Sequence, residues 1–337
     1  MGSPKTNQLG NLVKHLLIIF SIFLISFTII SCGEDKEEST DSNAEESTDS
    51  NATTTSNPLF VSVGNSGTIL TSTDGTTWTS RTSGTNKHLY GVTYGNSTFV
   101  VMGDNGTILT SSDGTTWTSR TSGTTNKLYR GTYGNSTFVV VGDNATGSGT
   151  ILTSPDGTTW TSRTSGTSTY LCQPTYANST FVTVGGSGTI LTSTDATTWT
   201  SRTSGTTGLI CGVTYGNSTF VAVGDNDTGT IFTSPDGTTW TSRTSGTTNE
   251  LWGVTFGNNT FVAGGESGTI LTSSDGTTWT SRTSGISDGL WGITYGNSIF
   301  VTVSYGGEII LTSSDGISWT SRTSGTTAIL SDVTYKE

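Results

Sequence analysis

The side chains able to carry catalysis are few in this 337-residue chain: two histidines, His15 and His88, three cysteines, Cys32, Cys172 and Cys211, and 25 Asp and Glu. A Ser-His-Asp constellation needs a histidine beside the nucleophile and a carboxylate behind it. His15 sits in an N-terminal apolar segment and His88 stands alone, so no such constellation is expected. A zinc site wants three or four Cys, His or carboxylate ligands held together. The Cys and His inventory is too thin for that, and no metal or cofactor is expected. Glycoside hydrolysis needs two carboxylates at a set separation, and no pair is singled out by spacing. Seven carboxylates recur in one repeated stretch: Asp74, Asp113, Asp156, Asp195, Asp236, Asp275 and Asp315. Seven arginines do the same: Arg81, Arg120, Arg163, Arg202, Arg243, Arg282 and Arg322. An active centre is singular, whereas a feature present seven times serves the scaffold. The expectation is a protein that is not an enzyme.

Composition narrows the class further. Hydrophobic residues make up 30% and charged residues 12%, with 45 Gly and an abundance of Thr and Ser. Strand-favouring Thr, Val, Tyr, Phe and Trp between glycine turns point to an all-β protein. The formal net charge of −11 disfavours a nucleic-acid partner, because phosphate binding needs clustered Lys and Arg.

Residues 1–31 read as an export signal. Lys5 and Lys14 precede an apolar run from Leu16 to Ile30, which ends in Ile29-Ile30-Ser31-Cys32-Gly33; the order is that of a signal peptide. The ending resembles the lipobox of bacterial lipoproteins, which are cut before a Cys that then carries the lipid. The resemblance implies cleavage after Ser31, a lipidated Cys32, and a place in the bacterial cell envelope, on the outer membrane or cell surface rather than the inner membrane. Residues 32–57 form an acidic linker containing EESTDSNA twice, at 37–44 and 45–52. With no large apolar side chain after Cys32 it has nothing to bury and is expected to be disordered.

Residues 58–337 repeat one unit. Its marker is a Trp after the recurrent Asp: Trp78, Trp117, Trp160, Trp199, Trp240, Trp279 and Trp319, spaced by 39 to 43 residues. Periods near 40 with strand-like content predict propeller blades of four strands. In one unit the strands are A over 89–94, B over 98–101, C over 107–111 and D over 116–120. The unit opens at strand B, Phe60–Val63, and finishes on an orphan strand A, Leu330–Tyr335. That last strand completes the first blade and removes the free sheet edges that invite aggregation. A closed seven-bladed β-propeller is predicted, and a monomer.

The Ser-x-Asp-Gly-x-Thr-Trp stretch, Ser111 to Trp117 for example, resembles the Asp-box (BNR) repeats of sialidase-like propellers, one residue shorter between Asp and Gly. The wider unit, with Tyr-Gly-Asn-x-x-Phe-Val and Gly-Thr-Ile-Leu, is similar to the photosystem II assembly-factor type of propeller. These resemblances cover 58–337 and concern fold, since one fold hosts many functions. They imply two other roles: a degenerate glycoside-processing enzyme, or an assembly scaffold for an envelope complex. Sialidases converge three arginines on one carboxylate. Here only Arg130 lies outside the repeat register, so that triad is not expected.

The copies differ at the D–A connection with the start of strand A, and at the B–C turn. Both lie on one face of a propeller, and loops on a rigid scaffold are where function tends to sit. A protein or glycan partner is therefore expected on that face. Lys87, His88, Lys127 and Arg130 gather on two adjacent blades, with Glu250, Glu266, Asp288, Glu308 and Asp332 across the ring. Tyr90, Tyr129, Trp252 and Trp291 share one position at the start of strand A, where they can anchor a ligand or pack between blades. Cys172 and Cys211 hold that position on two further adjacent blades. In an exported protein they can form a disulfide if their Cα atoms lie within about 7 Å.

Overall fold

A computed structural model describes residues 59–225 and 229–337. The signal segment 1–31 and the linker 32–57 with Cys32 lie outside the described residues. Within them the chain forms seven sheets of four antiparallel strands. Blade 1 takes its strand A from the C-terminus, Leu330–Lys336, and its strands B, C and D from Leu59–Gly64, Ile69–Ser72 and Thr79–Arg81. Blades 2 to 7 follow in chain order and begin at strands A Leu89–Gly95, Lys127–Gly134, Leu171–Ala177, Leu209–Gly216, Leu251–Gly257 and Leu290–Gly296. The closed seven-bladed ring expected from the sequence is the fold observed.

Each hydrophobic core lies between blades. Val61, Val63 and Ile69 of blade 1 meet Leu89, Val92, Phe99, Val101 and Leu109 of blade 2, and Tyr94 and Trp117 cover the cluster. Strand B is buried on both faces, as its consecutive apolar residues require; Phe99, Val100, Val101 and Met102 are each fully buried. Burying a side chain of this size stabilises by about 1.5–3 kcal/mol, so the ring rests on seven such seams.

The turns explain the constancy of the other face. At the A–B hairpins two consecutive residues take positive φ, as at Asn96 (46°) and Ser97 (56°). That is the type I′ geometry, which Asn tolerates well. At the C–D turns the recurrent Asp is an acceptor for the backbone. Asp113 Oδ1 receives the Thr115 and Thr116 N–H groups at 2.8 Å, and Trp117 Nε1 donates to the Gly114 carbonyl at 3.1 Å. At the equivalent Asp74, the Thr77 N–H, with further donors in the same turn, holds the carboxyl well below the usual carboxylate range. Because those N–H groups serve the turn, strand D is shorter than predicted: it begins at Thr118, not Thr116. The recurrent arginines also serve the blade, each Nε donating to a strand C threonine hydroxyl, as from Arg120 to Thr110 at 2.8 Å.

Blade 4 departs from this pattern. Ala196 replaces the turn glycine yet keeps φ at 59°, and the buried Trp199 Nε1 has no partner. A left-handed non-glycine residue costs about 1–2 kcal/mol, and a buried orphan donor costs about as much again. Ala196→Gly is expected to stabilise the domain by about 1 kcal/mol, after the greater chain entropy of glycine in the unfolded state is offset. Thermal unfolding would show a rise of about 2–4 °C; an unchanged or lower midpoint would contradict this account.

Candidate functional site at the mouth of the central channel

Strand A is innermost, and its start opens on the face of the D–A and B–C connections. In each of these strands the pairing register shifts near the start, with a β-bulge after the leading Leu or Ile. Bulges re-aim a side chain and recur beside functional sites. The residue at the bulge is Ser331, Tyr90, Tyr129, Cys172, Cys211, Trp252 and Trp291 in blades 1 to 7.

The four aromatics pack on one another and on polar partners. None of Tyr90, Tyr129, Trp252 or Trp291 is among the residues forming or covering the seven inter-blade cores. They are half-buried. The Tyr90 and Tyr129 rings meet edge-on at 5.3 Å, and His88 stacks on Tyr90 at 4.1 Å. The Tyr90 hydroxyl donates to Asp104 and that of Tyr129 to Asp143, each at 3.1 Å. Burial and these carboxylates push both phenols up. On the other side Trp252 and Trp291 stand nearly perpendicular, 85° apart with centroids at 6.0 Å, and Tyr305 lies 5.3 Å from Trp291.

One residue further along strand A the ring reads Asp332, Gly91, Arg130, Gln173, Gly212, Gly253 and Gly292. At Gly91 and Gly253 the neighbouring strand's carbonyl comes so close that no Cβ would fit. Arg130 of blade 3 reaches past Gly91 of blade 2 to Asp332 of blade 1. Its Nη1 lies 3.3 Å from Asp332 Oδ1 and 3.3 Å from Gln173 Oε1, and its Nη2 3.3 Å from the Ser331 carbonyl. Asp332 Oδ2 accepts the Val92 N–H at 3.1 Å, and Gln173 Nε2 donates to the Val213 carbonyl at 3.2 Å. One polar network thus links blades 1 to 5. Burial pushes the Asp332 carboxyl up, against the pull of Arg130.

Two expectations need correcting. Asp332, grouped by chain order with the acids across the ring from Arg130, is its ion-pair partner, because ring closure seats the last strand beside blade 2. His88 is not alone: its Nε2 lies 2.8 Å from Ser331 Oγ. Ser331 is 1% exposed, and burial pushes the His88 imidazole down to about 4.

The remaining expected residues divide. Lys87 is exposed and Lys127 is half-buried; Glu250 Oε2 accepts from Trp252 Nε1 at 2.9 Å, and Asp288 lies against Gly306. Cys172 and Cys211 are free thiols; the neighbouring Cys172 and burial push the Cys211 thiol up. Asp104, Asp143, Gln173, Ser331 and Tyr305 were missed from the sequence. A comparison of the seven units position by position would have exposed Gln173 and Asp332, since they and Arg130 stand where four other blades have glycine. Among the described residues, no group of three or more His, Cys, Asp or Glu could hold a metal ion. A groove of about 900 Å³ between the D–A connections of blades 1 and 2 is lined by Ser-Arg-Thr-Ser-Gly segments and recurs at other blades, so it belongs to the scaffold.

No protein-family model matches the chain, and no curated protein matches it. Solved structures do. YCF48 from Cyanidioschyzon merolae is 15% identical with a TM-score of 0.52, over 69% of this chain and 84% of that one. A structure of YCF48 bound to D1 peptide is 18% identical with a TM-score of 0.55, over 70% and 80%. Virginiamycin B lyase from Staphylococcus aureus is 14% identical with a TM-score of 0.61, over 70% and 84%. At such identities the likeness is one of fold, and it agrees with the β-propeller described above.

Proposed function

We propose that this chain is a non-enzymatic, lipid-anchored propeller of a bacterial envelope, placed on the outer membrane or cell surface, which binds a protein or glycan partner at the channel mouth. The observation that carries this reading is the set of bulge aromatics left out of every inter-blade core. Half-buried aromatics on a rigid frame are efficient anchors, because they bring a large contact area at little entropic cost. The YCF48 structure with a bound D1 peptide supports a protein partner and a scaffolding role. The buried Ser331 and the neutral His88 support a binding rather than a hydrolytic role.

The test uses envelope extract and immobilised protein. Tyr90→Ala, Trp252→Ala and Trp291→Ala are each expected to lose a partner that the parent retains. Asn96→Gly and Asn135→Gly, at A–B turns whose positive φ glycine accepts, are expected to keep it. Loss with the turn variants and retention with the aromatic variants would place the site on the opposite face.

The anchor is tested separately. Cys32→Ala is expected to abolish incorporation of radiolabelled fatty acid and to release the protein into the soluble fraction. Label entering the variant at the parent's level would show that Cys32 is not the lipid carrier.

A further inference from the structure

Cys172 and Cys211 occupy one repeat position, the bulge at the start of strand A, in the neighbouring blades 4 and 5. Two other neighbouring pairs at this position touch through their side chains, Tyr90 with Tyr129 and Trp252 with Trp291. The backbones are close at the same level, where the Tyr129 and Trp291 carbonyls crowd Gly91 and Gly253 of the preceding blade. Blades 4 and 5 are also joined beside the cysteines, by the bond from Gln173 Nε2 to the Val213 carbonyl at 3.2 Å. At the bulge the Cys172 side chain is itself a hydrogen-bond partner of Cys211.

Thiols within that reach need rotation about their side-chain bonds to close to the disulfide length of about 2.05 Å. Both cysteines are half-buried at the mouth, so they stay open to a small disulfide. The strands that carry them belong to separate sheets, and no backbone ladder ties one to the other. A covalent link there would add a tie that the sheet pairing does not supply.

We propose that Cys172 and Cys211 form a reversible disulfide that staples blade 4 to blade 5 at the channel mouth. The oxidant is a disulfide, R–S–S–R, of the glutathione or thiol-oxidoreductase class. One cysteine thiolate attacks it, forming a mixed disulfide and releasing RS⁻. The second cysteine thiolate attacks the cysteine sulfur of the mixed disulfide and releases the other RS⁻. The pair gives up two protons and two electrons, and R–S–S–R is reduced to two RSH. The bridge closes a loop of about 40 residues, one blade's length of chain, and restricts the unfolded chain more than the folded one. Its formation in cells rests on the proposed export of the protein, since disulfides persist in oxidising compartments; the chemistry of the pair does not.

The experiment is a peptide map of the purified full chain after incubation with oxidised glutathione. Remaining thiols are blocked with iodoacetamide, and the tryptic digest is weighed by mass spectrometry without reductant. Cleavage at Arg163, Arg202 and Arg243 places Cys172 in the peptide 164–202 and Cys211 in 203–243. The expected product is these two peptides joined, and separated again by dithiothreitol. Oxidation is expected to raise the melting midpoint by about 5–10 °C, and the rise should vanish in Cys172→Ser and in Cys211→Ser. Two alkylated peptides, glutathione adducts without the joined pair, either cysteine joined to Cys32 instead, or a joined pair whose midpoint does not rise overturns the proposal. The same map from acid-quenched cells tests the setting, with the joined pair expected. Free thiols in cells beside bridging of the purified chain would leave the pair standing and overturn the export reading alone.

Discussion

Deletion of Leu330–Glu337 is expected to unfold or aggregate the whole domain. These residues are the innermost strand of blade 1 and pair with the N-terminal strand from Leu59↔Lys336 to Gly64↔Leu330. Removing them exposes Phe60 and Val61, deletes the buried Leu330 and Val333 from the seam with blade 7, and leaves the edge of the strand Leu59–Gly64 unpaired. The two deleted apolar side chains alone are worth about 3–6 kcal/mol, against a total stability of about 5–15 kcal/mol for a typical domain. Lys336 adds a clasp to blade 2, with its Nζ 3.2 Å from the Ser112 carbonyl and 5.5 Å from the Tyr94 ring centroid. The variant should show no cooperative melt near the parent midpoint and should scatter light as an oligomer. A monomer melting at the parent temperature would mean that the ring does not depend on its last strand.

The second large effect is expected at Arg130. Arg130→Met leaves Asp332 buried without its counter-charge, which costs about 3–5 kcal/mol, whereas replacing both partners by apolar residues is often near neutral. Arg130→Met with Asp332→Leu is therefore expected to regain most of the loss, a coupling that a double-mutant cycle reads directly. The pH dependence has a definite sign. The folded state already holds the Asp332 carboxyl above its ordinary value through burial, and Arg130 opposes that rise. Without Arg130 the rise is larger, so the deficit of Arg130→Met is greatest at neutral pH and shrinks as pH falls and the carboxyl takes up its proton. A deficit that grows in acid, or additive single substitutions, would show that the pair is not the source.

The architecture was legible because each blade states it again. The Asp-Gly turns, the Asn-Ser hairpins and the apolar strand B mark local conformations that depend only on neighbours in sequence, and seven copies make the period unmistakable. Strand D was read too long for a local reason as well: the Asp carboxylates capture N–H groups that a β-propensity reading assigns to the sheet. The aromatics at 90, 129, 252 and 291 were also legible as a set, since they share one repeat position.

What they do there was decided only by the tertiary structure. Whether a Trp at the start of an innermost strand packs between blades or stands in the channel depends on the bulge and on how closely neighbouring backbones approach, and neither is a property of the local sequence. The partners of the titratable residues were hidden for the same reason. Arg130 meets Asp332, and His88 meets Ser331, across more than 200 residues of chain, because a ring brings its last strand against its first blades. The sequence by itself determined the repeat, the blade and the closure, which follow from local turn chemistry and hydrophobic pattern. The channel, its buried ion pair and its tryptophan corner arise only when seven blades close around one axis and side chains from different blades meet in the space their glycines leave.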